Sequence, residues 1–308
     1  MASDSKTDRS IDAILERRRP VAKSLIVSIL GDAILPHGGN IWLSSLADLM
    51  ALFHCNERVV RTSVFRLSKE GWLASTQVGR RSFYSLTDSG RRRFEAAHRV
   101  IYAAGPKRWS ERWTLVALAM IEAAAREALR DDLAWQGFGQ LGAELMLHPE
   151  PDEASLRQAL VGLSGAVVMN ASADQWMQQE DVHRLVAQAW DLERLGAVYA
   201  EFLEDFRPFL AVDGFSPASA FRLRTLLIHA WRRAVLRDPL LPEELLPVNW
   251  LGASARLLCR NLYRLIQGPA EVYLAQNMET ADGPPGPPSQ KFFERFGGLA
   301  EPAPETIA

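Results

Sequence analysis

Cationic side chains crowd one short stretch of the chain. From Glu57 to Gly90 it reads ERVVRTSVFRLSKEGWLASTQVGRRSFYSLTDSG. Arg58, Arg61, Arg66 and Lys69 fall in one helical segment stopped by Gly71, and Arg80 and Arg81 follow Gly79 in a tight turn. On a helical wheel Val60, Val64 and Leu67 share one face. Arg58, Thr62, Phe65 and Lys69 lie opposite, flanked by Arg61 and Arg66. A helix of this width fits the major groove of DNA, where arginines hold phosphates or pair bidentately with guanine. Arg80 and Arg81 would then meet the adjacent backbone or minor groove, and neither needs a folding role. A solvated helix beside a charged turn would use the same residue types. The combination of helix, glycine stop and basic turn points instead to DNA.

A second cationic group lies in FRLRTLLIHAWRRAVLRDP, which brings Arg222, Arg224, His229, Trp231, Arg232 and Arg233 together, with Trp250 a little further on. Cations beside aromatics suit a ligand with phosphates and a ring. Salt bridges from Arg232, Arg233 and Arg237 to Asp238 and Glu243 are the alternative, and the residues alone leave both open. No catalytic constellation is present: there is no P-loop, dinucleotide glycine fingerprint or Gly-x-Ser-x-Gly elbow. The histidines at 37, 54, 98, 148, 183 and 229 are scattered, and Cys55 and Cys259 have no metal-type spacing. The pattern predicts neither an enzyme nor a cofactor.

The elements that carry these residues follow from periodicity. Residues 1–19 are polar and charged and are expected as a flexible arm. Residues 20–103 read as helix, helix, helix, hairpin, helix, the order of a winged helix-turn-helix, with Ser44 or Ser45 capping the second helix. Residues 108–173 read as β-α-β-β-α-β, a ferredoxin-like (Cas2-like) unit. Residues 174–278 are helical, with an apolar stripe from Leu185 through Trp190, Leu192, Leu195, Tyr199, Phe202 and Leu203 to Phe206, which offers a surface for a second copy. Residues 279–308, rich in proline and glycine, are expected to be a disordered tail. The fold class is α+β, ending in an all-helical C-terminal domain. The net charge of −2 conceals a polarity, since residues 1–99 carry 16 Lys and Arg against 10 Asp and Glu. A basic first part joined to an acidic body suits a polyanion partner for the first part only. The N-terminus has no apolar signal core and no run is long enough to span a membrane, which predicts a cytoplasmic protein.

Three stretches resemble one family. They are RTSVFRLSKEGWL with GRRSFYSLTDSGRRRF, LRDDLAWQGFG with LMLHP, and HAWRRAVLRDPLLPEELLPVNWLGASA. The chain resembles the PaaX-type repressors of bacterial phenylacetic acid degradation over residues of about 20 to 275. Leu251 stands where that family usually has proline, and the proline-rich tail lies outside the resemblance. The resemblance implies a homodimeric repressor that binds a palindromic double-stranded operator and is released by phenylacetyl-CoA. The alternatives are a regulator of the same build answering to another acyl-CoA or to none, and a ferredoxin-like nuclease or hydrolase fused to a DNA-binding module.

Overall fold

A computed structural model of the chain describes residues 2–105, 108–172 and 179–299. The first element corrects the expectation of a flexible arm. Residues Ala2–Arg18 form helix α1, which buries Ile11, Ile14 and Leu15 at helical spacing. Asp8 and Asp12 pair with Arg222, and Arg17 and Arg18 with Asp205. The charges that look solvated in the sequence are the groups that dock the helix.

Helix α2 (Ala22–Ile29) passes into a π turn, Leu30–Ile34, and a 3-10 turn, Leu35–His37. Strand β1 (Asn40–Trp42) leads directly into α3 (Leu43–Ala51), followed by α4 (Glu57–Lys69), β2 (Leu73–Val78), β3 (Arg81–Leu86) and α5 (Asp88–Ile101). Ser45 does not cap α3. Its hydroxyl donates to the Asn277 carbonyl and accepts from the Glu279 amide. Asn56 caps α4 by accepting from the Val59 amide at 3.0 Å, and Gly71 ends it with φ +74°, a backbone that favours glycine. Val60, Val64 and Leu67 are fully buried, as the wheel requires. The sheet order is β1-β3-β2, antiparallel throughout. Val78 pairs with Arg81, so Gly79 and Arg80 form a two-residue loop, with Gly79 at φ +61°.

The next strand is β4 (Arg112–Ala117), followed by α6 (Ala123–Trp135), β5 (Gly139–Leu141), β6 (Leu145–His148), α7 (Glu153–Ala159) and β7 (Val167–Ser172). The sheet order β5-β6-β4-β7, antiparallel at each pairing, is that of a ferredoxin-like unit. Alternation on the strands serves two cores. Val116 and Met146 face Leu129, Leu133 and Leu156, whereas Trp113 and Leu147 face Val182, Val186 and Trp190. Val182 and Val186 belong to α8 (Gln179–Ala189), so this helix completes the middle unit rather than opening a separate domain. The expected boundary at 173–174 falls outside the described residues. Strand β7 is an edge on which Val167, Val168 and Met169 are about 40% exposed.

Helices α9 (Leu192–Phe206), α10 (Pro217–Val235) and α11 (Leu251–Asn277) make up the rest of the helical part. The chain divides into two compact units, one of residues 1–104, 202–233 and 255–308 and the other of residues 105–201 and 234–254. This partition differs from the three sequential domains read from periodicity. Phe202, Phe206 and Trp231 are buried in the unit that holds the first hundred residues, a long-range placement that periodicity does not reveal. The apolar stripe is consumed internally: Trp190, Leu192, Leu195, Tyr199, Phe202, Leu203 and Phe206 are all buried within the protomer. It therefore offers no surface to a second copy.

The tail expected to be disordered is ordered to Leu299, and residues 300–308 lie outside the described residues. Helix α12 (Gln290–Phe293) buries Phe292, and Phe296 and the Arg295 guanidinium are buried next to it. Arg295 lies 3.0 Å from Asp32, stacks on Tyr102 at 4.2 Å and on Phe292 at 4.7 Å. Arg224, fully buried, lies 3.0 Å from the other Asp32 oxygen and 2.6 Å from Glu271. Burial raises the Glu271 pKa, but the hydrogen bond from His37 and the Arg224 charge outweigh it and bring the carboxyl to about 2. Removing one member of a buried charge cluster strands the others. Arg295→Ala is expected to cost about 3–5 kcal/mol, and truncation after residue 289 to lower the melting temperature similarly. A disordered tail would leave thermal melting unchanged in both.

Candidate nucleic-acid interface

The face of α4 opposite Val60, Val64 and Leu67 is exposed along its length. Arg58, Arg61, Thr62, Phe65, Arg66 and Lys69 all lie on solvent. Helical geometry sets Arg58, Thr62, Phe65 and Lys69 in one row, because residues three or four apart stack along one side. The row is internally braced. Arg61 donates to Glu57 one turn back, at 2.5 and 3.1 Å. The Thr62 hydroxyl donates to the Arg58 carbonyl at 2.9 Å, so its acceptor lone pairs face outward. Lys69 sits 5.6 Å from the Phe65 ring centroid. Phe65 itself is 60% exposed, a large apolar ring amid cations. Sequence reasoning placed Phe65 on this face without assigning it a role; its chemistry suits the methyl group of thymine.

The two residues of the hairpin tip separate. Arg80 is exposed in the loop. Arg81 is not a spare cation, which corrects the expectation that it has no folding role. Its guanidinium bonds both oxygens of Glu279, at 3.1 and 2.5 Å, and lies 4.1 Å above the Trp42 ring. Nothing local to the hairpin signals this, because Glu279 lies 198 residues away in sequence. The start of α5 adds cations not assigned from the sequence. Arg92 is exposed, Arg93 covers Trp72 at 5.0 Å, and Arg91 donates to the Gly38 carbonyl at 3.3 Å. Their signal was present in SGRRRF.

The second cationic group does not assemble as one cluster. Arg222 is taken up by Asp8, Asp12 and the Leu52 carbonyl, and Arg224 by Asp32 and Glu271. The Trp231 indole is buried and donates to the Ile101 carbonyl at 2.8 Å. Trp250 packs edge-on against Tyr199 in the other compact unit. His229, Arg232 and Arg233 remain neighbours. Arg232 donates to Ser24 and to the Ser28 hydroxyl at 2.8 Å, and that hydroxyl meets His229 Nδ1 at 3.0 Å. Burial and the adjacent Arg233 bring the Arg232 pKa down to about 10. Burial, then Arg232 and Arg233, push His229 down to about 3, so it is neutral. Arg233 is exposed.

Family models match in three consecutive stretches: a PaaX-like protein at residues 21–90, the PaaX protein central Cas2-like domain at 106–185, and a PaaX-like protein C-terminal domain at 190–276. The chain belongs to the PaaX family. A relative from Escherichia coli (strain K12), the transcriptional repressor PaaX, is 38% identical over 303 residues and covers 96% of each chain. An uncharacterised protein from Mycobacterium tuberculosis superposes with a TM-score of 0.57 at 23% identity, over 82% of this chain and 98% of that one, which speaks for the fold alone. The central PaaX match ends at residue 185, inside α8, in keeping with the packing of that helix on the middle sheet. Among the described residues of this PaaX-family chain, no group of three or more His, Cys, Asp or Glu is arranged to hold a metal ion. None of its described helices is long and apolar enough to cross a membrane.

Proposed function

We propose that this PaaX-family chain is a DNA-binding transcriptional repressor of phenylacetic acid catabolic genes, not an enzyme. It binds a palindromic operator as a homodimer and is released by phenylacetyl-CoA. The observation that carries the reading is the exposed cationic row of α4 beside the hairpin loop. With α3 and the β2–β3 hairpin it has the layout of a winged helix-turn-helix, in which α4 enters the major groove and the hairpin is the wing. The repressor designation of the Escherichia coli relative supports it across nearly the whole chain.

Arg58, Arg61 and Arg66 are assigned to DNA, Thr62 and Lys69 flank them, and Arg80 serves the wing. Arg→Ala at a base-reading position is expected to cost roughly 1–3 kcal/mol and relax preference at one base pair. At a phosphate position the loss is uniform across sequences and the salt dependence flattens. Wild-type binding by all three variants at several salt concentrations overturns the assignment. Arg80→Ala is expected to weaken operator and random DNA alike without changing thermal melting.

One α4 reads one half-site, so a palindrome requires a second copy about one helical turn or a multiple away. With the apolar stripe buried, the exposed edge of β7 is the surface assigned to the partner. Val167, Val168 and Met169 present unpaired backbone there with no charged or proline residue to block pairing. Sedimentation is expected to give a dimer that Val168→Lys shifts towards monomer. A wild-type monomer, free and on DNA, sinks the dimer; an unaffected dimer in the variant sinks the β7 assignment.

For the effector, the supporting group narrows to Arg232 and Arg233, with neutral His229 behind them. Arg232 bonds the neutral hydroxyls of Ser24 and Ser28 and the Ser24 carbonyl, leaving cationic charge for a phosphate of coenzyme A. By linkage, operator DNA weakens effector binding by the factor the effector weakens operator binding. Titrating the protein–operator complex with phenylacetyl-CoA, phenylacetate and coenzyme A is expected to give release by phenylacetyl-CoA alone. Arg233→Ala is expected to need a higher concentration while binding operator normally. Equal release by phenylacetate, or none by any of the three, rejects this effector.

A further inference from the structure

The Arg81–Glu279 pair is built from two directions. Arg81 opens β3 at the loop of the hairpin, where Val78 is its cross-strand partner. Glu279 comes just after α11, where the C-terminal segment runs past the edge strand β1 of the same sheet. The Glu279 carbonyl accepts from the Trp42 amide at 3.1 Å, and its own amide donates to Ser45 at 3.0 Å. Its backbone is therefore held, and the carboxylate is aimed at Arg81 with two near-parallel bonds while Trp42 supports the guanidinium from below. Both side chains nonetheless stand half in solvent, each 48% exposed.

This is the geometry in which a guanidinium receives two oxygens of a phosphate. We propose that Glu279 stands in for a DNA phosphate at the wing, and that operator DNA displaces it from Arg81. Two features of the pair make exchange feasible. It is open to solvent, so a phosphate can approach without the chain unfolding, and an exposed ion pair is weak. The backbone bonds at Trp42 and Ser45 do not involve the carboxylate, so the segment stays docked when Arg81 leaves it. The carboxylate thus opposes DNA binding by occupying Arg81. The contact links the wing to the C-terminal segment whose far end is anchored by Arg295 at Asp32.

The inference rests on the DNA-binding reading, and the experiment separates the two. Affinities for operator and for random duplex are measured against salt concentration for wild type, Glu279→Gln, Arg81→Ala and the double variant, with thermal melting alongside. Glutamine keeps the shape of Glu279 and one acceptor oxygen. Expected is a roughly two- to fivefold gain for Glu279→Gln on both duplexes, with a similar salt dependence, because Arg81 meets a phosphate in both complexes. Arg81→Ala is expected to bind more weakly than wild type. In the Arg81→Ala background, Glu279→Gln is expected to change little. An equal gain in that background makes the effect long-range charge and refutes the exchange. No gain or a loss with Glu279→Gln, at unchanged melting, makes the pair a structural brace and equally refutes it. If melting falls as well, Glu279→Asp decides: its shorter carboxylate frees Arg81 while keeping the charge, and failure to raise affinity overturns the proposal. Absence of wild-type binding to any duplex would instead overturn the DNA-binding reading.

Discussion

Asp32 holds the first compact unit together. It lies buried in the π turn after α2, where a lone carboxylate would be strongly unfavourable, and it is tolerable only because its surroundings are arranged for it. Tyr102 donates to it at 2.6 Å and Tyr263 at 2.9 Å, and Arg224 and Arg295 each lie 3.0 Å away. These partners come from the residue that follows α5, from α11, from α10 and from the C-terminal segment. One charge thereby sets the relative position of four parts of the chain. Burial alone would lower the pKa of both arginines; the surrounding carboxylates and phenols outweigh it and keep them charged.

The consequence reaches the β2–β3 hairpin. A C-terminal segment anchored by Arg295 has a defined path back to α11, with His37 bonding the Gly286 carbonyl at 2.6 Å and the Pro36 carbonyl accepting from Ser289 at 2.9 Å. That path carries Glu279 along β1 and so to Arg81. A polar tail of this composition has little to bury by itself. Here it is ordered because Phe292, Phe296 and one guanidinium find prepared places, and each placed group reduces the entropy left for the next to overcome.

Buried charge also accounts for the cations that were candidates for a ligand. Arg222, Arg224, Arg232 and Arg233 all lie on α10, yet they meet different surroundings. Arg222 faces α1, Arg224 the Asp32 cluster and Arg232 the serines of α2, while Arg233 turns to solvent. Only the last two retain charge that a phosphate could use.

The exposed row of α4, its buried Val60, Val64 and Leu67, the Gly71 stop and the Gly79 turn were all legible in the sequence. Each depends on residues within one or two helical turns or one hairpin. The same holds for the β-α-β-β-α-β order of the middle unit, where alternation along each strand is a local signal. What was misread depends on partners distant in the chain. Residues 2–18 are polar by composition, but Asp8 and Asp12 have Arg222. The tail is proline-rich, but Arg295 has Asp32. The stripe of α9 is apolar enough for a partner, but the protomer itself covers it. Arg81 looks like its neighbour Arg80 until Glu279 arrives. Sequence by itself determined which faces are apolar, where elements stop and which family the chain resembles, because propensity and periodicity are short-range. Only the tertiary structure decided which charges are spoken for, because a charge's partner is fixed by distance in space and not along the chain.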